Sequence, residues 1–331
     1  MDQSAEAIVM RAYGGPDVLA AENITLPALK PDEIRVRTIA AAVNHSDLEI
    51  RAGNYPIQRV PAFPYVPGLE VIGDVAEVGS AVTGLSVGER VITMMQSTGG
   101  LRAKRNGGYA QLATLPQHIV ARVPGDLDPL DLAALGLAAV TAYEGLRKLG
   151  AIEGRRVVVT GASGGVGSVA VAIAAARGAE VTGIVSRAER SAYVRSLGAQ
   201  AVHTAHEIEG GALGDESLDG VLETVGSTLF APCVNALRPG GTLSMVGAIG
   251  GGEVTFDAYR LLGVTLTGYS SETLDGTSLQ AAMDDICGWL RQGRIRAPAR
   301  TLFPLREAAQ AHAALERRGV EGRLLLVPEP A

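Results

Sequence analysis

A glycine-rich segment, Thr160–Ser168, contains the residues best suited to hold a charged ligand. It follows an apolar run, Arg156–Thr160, typical of a buried strand, and precedes a predicted helix from about Val166 to Arg177. Glycines in this position let the backbone approach a pyrophosphate, whose charge is bound by amides at the helix N-terminus. The residues expected to contact a dinucleotide here are Ala162, Ser163, Gly164, Gly165 and Val166.

The segment after the next predicted strand, Glu180–Val185, indicates which dinucleotide is preferred. An NAD site places an Asp or Glu there, about 20 residues beyond the glycine turn, on the ribose 2′-hydroxyl. In this sequence Ser186 stands at that place, followed by Arg187 and Arg190. Hydroxyl and guanidinium groups hydrogen-bond a 2′-phosphate, which a carboxylate would repel. We therefore predict NADPH, the alternative being that both arginines only solvate a helix start.

Cysteine and histidine usage argues against a metal site. The two cysteines, Cys233 and Cys287, are too few for a cysteine-rich zinc site or a disulfide framework. Among the five histidines no pair has the spacing of a recognisable metal site. This composition predicts no metal and favours a reduced, cytoplasmic protein.

Two kinds of secondary-structure pattern divide the chain. Residues before about 130 show short strand patterns between turns, such as Glu33–Thr38 and Arg90–Met94. From about 131 strands and helices alternate, which predicts a parallel sheet with helices on both faces. The tail after about 296 returns to short strands, so we expect it to fold back onto the first part.

Composition excludes several classes of function. The net charge of −6, the lack of a long Lys/Arg cluster and an aromatic content of 4% argue against a nucleic-acid partner. No uncharged apolar run reaches the roughly 18 residues needed to span a membrane, and Met1–Ser4 lack a signal-peptide pattern. We expect a cytoplasmic protein with a small-molecule substrate.

Motifs spread over the chain resemble those of a known family. Asn44, Asp47, Arg51, Gly53 and Tyr55 resemble an Asn-x-x-Asp-x-x-x-Arg-x-Gly-x-Tyr pattern. Further motifs follow in the family's order: Pro67–Gly73, Val78-Gly79, Gly88–Val91, Gly107–Ala110 and the Ala162–Gly167 turn. With them the whole chain resembles the medium-chain dehydrogenase/reductase superfamily, and within it the zinc-free quinone oxidoreductase (zeta-crystallin-like) branch.

The resemblance implies an α/β fold, with a Rossmann doubly wound parallel sheet plus a β-rich GroES-like domain. We expect residues 1–130 and 296–331 to form the GroES-like substrate and catalytic domain, and residues 131–295 the Rossmann NADPH-binding domain. The cofactor would lie in the cleft between them. Members are commonly homodimers paired through the edge of the Rossmann sheet, for which Val264–Tyr269 is the candidate strand.

The resemblance also supplies a test for zinc. Zinc-dependent members of the superfamily place Cys, His and Cys at the positions of Asn44, Leu69 and Leu137. Asn and Leu cannot replace those ligands. The sequence therefore predicts a metal-free enzyme, whose chemistry is hydride transfer to a carbon already activated by conjugation.

Site residues follow from the same resemblance. Asn44 and Asp47 would lie near the nicotinamide, and Thr141 would contact its carboxamide. Val246, Gly247 and Ala248 would pass close to the nicotinamide ribose. Tyr55 is the candidate for orienting substrate or passing a proton, because its phenol is protonated at neutral pH. The alternatives are that Tyr55 only lines the cleft and that Asp47 only fixes its loop.

The sequence thus predicts an NADPH-dependent oxidoreductase acting on a quinone or an α,β-unsaturated carbonyl compound. A 2-enoyl thioester (enoyl-CoA) reductase uses the same hydride chemistry and is an alternative. A non-enzymatic NADPH-binding protein is a second alternative, because a fold can keep affinity and lose turnover. The basic loop 99–106 would bind an anionic substrate or only be a solvated loop.

Overall fold

The computed structural model describes residues 3–55, 63–94, 105–317 and 322–329. The chain divides into two compact units. The first unit comprises Met1–Leu137, Glu272–Cys287 and Ala297–Ala331. The second unit comprises Ala138–Ser271 and Gly288–Arg296.

Strands and helices within the described residues are numbered along the chain. The strands are β1 (Ser4–Val9), β2 (Ala20–Thr25), β3 (Glu33–Val43), β4 (Glu70–Val78), β5 (Arg90–Met94), β6 (Leu112–Pro116), β7 (Ala121–Arg122), β8 (Arg156–Val159), β9 (Glu180–Val185), β10 (Ala201–Thr204), β11 (Leu218–Glu223), β12 (Leu237–Met245), β13 (Thr265–Gly268), β14 (Arg300–Pro304) and β15 (Arg323–Val327). The helices are α1 (His45–Ala52), α2 (Pro129–Arg147), α3 (Gly165–Ala176), α4 (Ser191–Ser196), α5 (Ala205–Glu209), α6 (Phe230–Ala236), α7 (Gly276–Arg291) and α8 (Ala308–Glu316).

The first unit is built on a seven-stranded sheet in the order β14-β15-β3-β4-β5-β7, with β6 also paired to β3. The long strand β3 pairs with β4 along one edge and with β6 along the other. Its apolar residues form a core with those of β4 and β5. The tail joins this sheet, because β15 pairs antiparallel with β3. The sequence predicted this return of the tail from its short strand patterns.

The second unit is a six-stranded parallel sheet in the order β10-β9-β8-β11-β12-β13. Its central strand β8 is Arg-Val-Val-Val, with all three valines buried, as the continuous apolar run predicted. Helix α3 is rich in Gly and Ala, so its backbone packs close to β8 and β9. The predicted fold class, a Rossmann doubly wound sheet plus a GroES-like domain, is confirmed.

The predicted strands and helices named above lie within a few residues of observed ones, and two differences concern the candidate site. Helix α1 was not predicted, although it carries candidate site residues. The helix start expected at Arg187 and Arg190 is a 3₁₀ turn, Ala188–Arg190, followed by the short helix α4. No helix among the described residues is long and apolar enough to cross a membrane.

Candidate active site

The second unit gathers its loops at one edge of the parallel sheet. Strand order reverses between β8 and β11, and a crevice forms beyond the carboxyl ends of such strands. The glycine turn follows β8, Ser186 follows β9, Thr224 follows β11 and Val246 follows β12. Residues that the sequence assigned to a dinucleotide therefore lie at the same edge of one sheet.

The glycine turn has the close packing that a pyrophosphate-binding loop requires. A Cβ atom on Gly167 would lie 2.1 Å from the carbonyl oxygen of Gly161, so a larger residue would displace the turn. Ala162 is buried, and its amide donates to the carbonyl of Ile184 over 2.9 Å. Its side chain thus points into the protein, which explains why this turn tolerates Ala at the first position. Helix α3 begins at Gly165, so its N-terminal amides follow the turn directly.

Beneath this turn a buried carboxylate joins the two strands that flank the crevice. Glu223 Oε1 accepts hydrogen bonds from the Thr160 hydroxyl (2.8 Å) and from the amides of Val225 (2.6 Å) and Gly226 (2.8 Å). Thr224 adds two reciprocal bonds, from its amide to Thr160 Oγ1 (2.7 Å) and from its hydroxyl to the Thr160 carbonyl (2.8 Å). These bonds fix the end of β8 where the glycine turn begins.

The residues predicted to select NADPH are accessible. Ser186 and Arg187 are exposed and Arg190 is half-buried. Neither guanidinium forms an ion pair or a side-chain hydrogen bond with any residue in the described ranges. Both cations are thus available to an anion at the end of β9.

The remaining predicted cofactor residues lie on α2 and after β12. Thr141 is nearly buried on α2, and one turn later Gly145 packs against Val246, whose Cγ1 lies 2.5 Å from where a glycine Cβ would be. The Val246 amide donates to the Glu223 carbonyl over 2.8 Å. Gly247 follows, close to the Thr224 carbonyl, and Ala248 accepts from the amide of Gly251. The loop after β12 is therefore tied to the loop after β11.

In the first unit, Asn44 and Asp47 form the start of α1. Asp47 is 1% exposed, and its Oδ2 accepts from the Asn44 amide (2.8 Å) and from Asn44 Nδ2 (3.2 Å). Its Oδ1 accepts from the Leu69 amide over 3.1 Å. Asp47 thus caps the helix and also holds the segment that leads into β4, which is the structural role the sequence left open.

A buried ion pair completes this cluster. Glu70 Oε1 accepts from Asn44 Nδ2 (2.8 Å) and lies 3.2 Å from Arg323 Nη2, which also donates to Asn44 Oδ1 over 2.8 Å. Glu70 Oε2 accepts from the Leu137 amide over 2.7 Å. We call Asn44, Glu70 and Arg323 the polar cluster. Its members come from the three strand ends of β3, β4 and β15.

The kink of α2 makes room for this carboxylate. Gly136 has φ 34° and ψ −134°, a conformation that residues with a Cβ rarely adopt. A Cβ there would lie 2.0 Å from Glu70 Oε2. The kink frees the Leu137 amide from the helix, and Glu70 accepts its hydrogen bond.

Burial sets the electrostatics of both carboxyl groups. Burial raises the pKa of Asp47 to about 7, although the hydrogen bonds from Asn44 and Leu69 act to lower it. Burial also raises the pKa of Glu70, whereas the charge of Arg323 lowers it. Arg323 thus offsets the charge of Glu70, whereas the charge of Glu70 adds to the raised pKa of Asp47.

Tyr55 lies just after α1 and is half-buried. Burial raises the pKa of its phenol, and the charge of Glu272 adds to this, while a hydrogen bond with Ser46 opposes it. The phenol is therefore protonated at neutral pH and can donate a hydrogen bond. Of the predicted basic loop 99–106, only Arg105 and Asn106 fall in the described residues, so its proposed role lies outside them.

The three positions at which zinc-dependent relatives place their ligands offer no ligand set here. The side chains of Leu69 and Leu137 have no donor atoms, and the Asn44 amide is already bound to Glu70, Asp47 and Arg323. Arg323 brings a positive charge to the same cluster. Within the described ranges, no three His, Cys, Asp or Glu side chains are grouped so that they could hold a metal ion.

Several residues of these sites were missed by sequence reasoning. Glu70, Arg323 and Glu223 are the clearest cases, each a charged residue at one end of an apolar strand. In a sequence that pattern indicates a solvated strand end. The only local signal that such a charge is buried was its place directly before a buried apolar run, as in Arg323–Val327.

Comparison with known proteins places the chain in a family. Residues 30–125 match the alcohol dehydrogenase GroES-like domain, and residues 165–286 match the family described as zinc-binding dehydrogenase. The chain is 32% identical to a quinone oxidoreductase of Lama guanicoe over 97% of both chains. It is 30% identical to a chloroplastic NADPH-dependent alkenal/one oxidoreductase of Arabidopsis thaliana, over 98% of this chain and 80% of that one. The Escherichia coli quinone oxidoreductase in complex with NADPH has a TM-score of 0.86 at 26% identity, over 98% of this chain and 100% of the other.

Proposed function

This chain belongs to the medium-chain dehydrogenase/reductase superfamily and is an oxidoreductase that uses a nicotinamide cofactor, and we propose that it is a zinc-independent, NADPH-dependent reductase of quinones or α,β-unsaturated carbonyl compounds. The observation that carries this proposal is the polar cluster. It places Asn44 at a position where zinc-dependent members of this superfamily have a ligand, and Arg323 donates a hydrogen bond to that asparagine and pairs with Glu70.

The lack of ligand side chains at positions 69 and 137, and the engaged Asn44 amide, favour one class of acceptor. Reduction of an isolated carbonyl produces an alkoxide, which a metal ion normally stabilises. A quinone or conjugated carbonyl instead spreads the negative charge over several atoms, so it needs less electrostatic help. NADPH, when bound, supplies the hydride. The printed names of the relatives, quinone oxidoreductase and alkenal/one oxidoreductase, support this class of substrate.

In this proposal the second unit binds NADPH through the edge described above. Ala162, Ser163, Gly164, Gly165 and Val166 bind the pyrophosphate, and Thr141, Val246, Gly247 and Ala248 bind the nicotinamide end. Ser186, Arg187 and Arg190 bind the 2′-phosphate. A single charge-assisted hydrogen bond from these arginines, at roughly 1.5–3 kcal/mol, favours NADPH over NADH by a factor of about ten to 150.

In the first unit, Tyr55, Asn44 and Asp47 are the residues that we assign to the reaction. Tyr55 orients the acceptor by donating a hydrogen bond from its phenol. The Asn44 amide nitrogen is engaged by Glu70 and Asp47, so Asn44 acts by fixing the local backbone. Asp47 holds the start of α1, which carries the segment leading to Tyr55.

A homodimer is part of the proposal. Strand β13 is an edge of the six-stranded sheet, so one side of it is open to pairing. In the 3₁₀ turn just before it, Tyr259 is 80% and Leu262 is 85% exposed. Large apolar side chains beside an open strand edge suit a second copy of the chain. We also propose a cytoplasmic location, because both cysteines are free and buried.

Steady-state oxidation of NADPH tests the activity. We expect turnover with 1,2-naphthoquinone or a simple enone and none with crotonyl-CoA. Turnover with crotonyl-CoA alone would instead identify a 2-enoyl thioester reductase. Tight NADPH binding without turnover on either compound would identify a binding protein and refute the enzymatic proposal.

A variant at the end of β9 tests the choice of cofactor. Ser186→Asp combined with Arg187→Ala should weaken NADPH far more than NADH, because it replaces two donors by a charge that repels the 2′-phosphate. Arg195→Ala is the matched control. It removes an exposed arginine from α4 that donates to the Gln200 carbonyl. Equal weakening of NADPH and NADH in the double variant would contradict the assignment.

A further inference from the structure

A cavity of about 180 Å³ opens in the second unit, toward the amino ends of its central strands. The strands β8, β11 and β12 are neighbours in the sheet, and their register places Val157, Gly220 and Thr242 side by side in the cavity lining. The residues that we assign to NADPH follow the carboxyl ends of strands in the same sheet. The cavity and the candidate cofactor site therefore lie at opposite edges of this sheet.

An interruption in the pairing of β11 with β12 explains the cavity. On β11, Asp219 alone lies between two paired positions, whereas the matching segment of β12 is residues 238–241. A longer segment opposite a single residue cannot stay in register, so it bulges out of the sheet. Arg238 and Gly240 of this bulge line the cavity, and a Cβ atom on Gly240 would have no other atom within 4 Å. The bulge thus leaves open space beside the sheet.

Part of the cavity lining is apolar. Leu149, Ile152 and Val157 contribute to it, and Ile152 and Val157 are buried. Leu149 covers Gly220, where an added Cβ atom would lie 3.0 Å from Leu149 Cδ1. An apolar cavity of about 150 Å³ is sufficient to bind benzene. The volume of this cavity therefore admits one aromatic ring or a short hydrocarbon chain.

The rest of the lining carries two guanidinium groups and one carboxylate. Asp219 Oδ1 accepts from Arg155 Nη1 (3.1 Å) and from Arg238 Nε (2.7 Å), and its Oδ2 accepts from the Arg156 amide (2.8 Å). Although burial acts to raise it, the Arg156 amide and the guanidinium groups of Arg238 and Arg155 lower the pKa of Asp219, which is therefore ionised at neutral pH. Two cations share one anion, so the lining keeps a net positive charge.

Arg155 has donors to spare for a further anion. Its side chain is 47% exposed, and in the described part of the chain Nη1 is its only side-chain nitrogen with a hydrogen-bond partner. A guanidinium carries five N–H donors in a planar fork that matches the two oxygens of a carboxylate. Nε and Nη2 of Arg155 can therefore donate to a carboxylate bound in the cavity.

We propose that this cavity is a second ligand site, which binds a small carboxylate that carries an apolar body. The apolar body packs against Leu149, Ile152 and Val157, and the carboxylate accepts hydrogen bonds from Arg155 and Arg238. A monoanion matches the net charge of the lining, whereas a phosphate dianion would be repelled by Asp219 and would leave the apolar residues without a partner. The inference does not rest on the proposed function, because no residue of the candidate active site takes part in it.

Isothermal titration calorimetry of the full chain with benzoate tests the site. We expect saturable one-to-one binding of benzoate. Benzamide, which has the ring without the charge, and acetate, which has the charge without the ring, should each bind about tenfold more weakly or worse. Lack of benzoate binding, or equal affinities for benzoate and benzamide, would overturn the proposal. Inorganic phosphate that binds as tightly as benzoate would also overturn it, because the apolar lining would then play no part.

Two variants locate benzoate in the cavity. Arg155→Met should weaken benzoate binding about tenfold or more, because a charge-assisted donor is lost, while Asp219 keeps its bonds with Arg238 and the amide of residue 156. Ala151→Phe should also weaken it, because Ala151 is an exposed residue of the lining and a phenyl group there fills the space. Circular dichroism checks that both variants are folded.

Arg195→Met is the matched control for the arginine variant. It removes an exposed arginine of the same unit, whose side chain donates to the Gln200 carbonyl and does not line the cavity. Its affinity for benzoate should equal that of the wild type. Unchanged affinity in either cavity variant, or an equal loss in Arg195→Met, would contradict the location that we propose.

Titration at saturating NADPH separates this cavity from the candidate cofactor site. We expect NADPH to leave benzoate bound, because the two sites lie at opposite edges of the sheet. Competition between benzoate and NADPH would place benzoate in the cofactor site and overturn the proposal. A chain that binds benzoate in the cavity but neither binds NADPH nor reduces an acceptor would refute the proposed function and leave this inference standing.

Discussion

Replacing Arg323 by methionine should destabilise the first unit strongly, because it leaves Glu70 as a buried charge without its cation. Glu70 is 2% and Arg323 is 8% exposed, so water cannot take over the lost interaction. Asn44 Oδ1 also loses the donor at 2.8 Å. Removing one partner of a buried ion pair typically costs about 3–5 kcal/mol, and we expect Arg323→Met to fall in this range.

The measurement is urea unfolding followed by circular dichroism, with Arg306→Met as the control. Arg306 is also an arginine of the first unit paired with glutamates, Glu6 and Glu329, but its side chain is 57% exposed. Exposed ion pairs contribute little to stability, so Arg306→Met should barely change the unfolding midpoint. If Arg323→Met shifts the midpoint no more than Arg306→Met does, the polar cluster is not the stabilising element we describe.

The pH dependence of this effect has a defined sign. Arg323 lowers the pKa of Glu70, so its removal leaves that pKa further above the value in the unfolded chain. A raised folded-state pKa favours the folded state at low pH, and this contribution is lost as pH rises through the folded-state pKa. The difference between Arg323→Met and wild type should therefore grow with rising pH. Adding Glu70→Gln should recover part of the loss at high pH, because no buried charge then remains.

Four further outcomes are expected. Purified protein should contain less than stoichiometric zinc by elemental analysis and keep its activity after chelation; a one-to-one zinc content would contradict the metal-free assignment. Leu262→Asp should produce monomers in light scattering, whereas Val87→Asp, at an isolated exposed position, should not. Gly136→Ala should destabilise the chain, because its methyl group meets Glu70; unchanged thermal unfolding would contradict this. Relative to Asp47→Asn, the wild type should lose roughly 4 kcal/mol of unfolding free energy as pH rises from 4 through about 7, since burial raises the pKa of Asp47. Parallel curves of unfolding free energy against pH for the two proteins would contradict this.

The Rossmann half of the fold could be predicted well because its signals are local. Strands such as Arg156–Val159 are short apolar runs, and helices separate most of the strands of this sheet. The parallel order then follows from the alternation itself. Helix α4 was the exception: its predicted first turn is a 3₁₀ turn, and only six residues are α-helical.

Helix α1 could not be predicted from periodicity because it has only eight residues and is largely polar. It is stabilised by tertiary contacts instead. Asp47 accepts hydrogen bonds from Asn44 and Leu69, and Gly53 ends the helix at φ 77°. A two-turn helix has little stability of its own, so such contacts decide whether it forms. The residue types at 44, 47 and 55 indicated the candidate site, but the sequence periodicity did not indicate helix α1, which positions them.

The residues that we propose for the cofactor could be grouped at one sheet edge from the sequence, since they follow recognisable strands. The polar cluster could not be predicted, because Glu70 and Arg323 are 253 residues apart and no local pattern relates them. Each begins an apolar strand, where a charge usually faces water. Only the pairing of β15 with β3 and of β3 with β4 brings them within 3.2 Å.

The side chains of Asn44, Leu69 and Leu137 predict a metal-free site by what they lack. The structure adds the group that makes such a site stable. A buried Glu70 with neither a metal ion nor a cationic side chain nearby would be an unpaired charge, which costs several kcal/mol. Arg323 supplies that cation from a strand far along the chain and binds Asn44 with the same nitrogen. In the metal-free site that we propose, the missing ligands alone would leave Glu70 unpaired, so the site depends as much on Arg323 as on the three positions where ligands are missing.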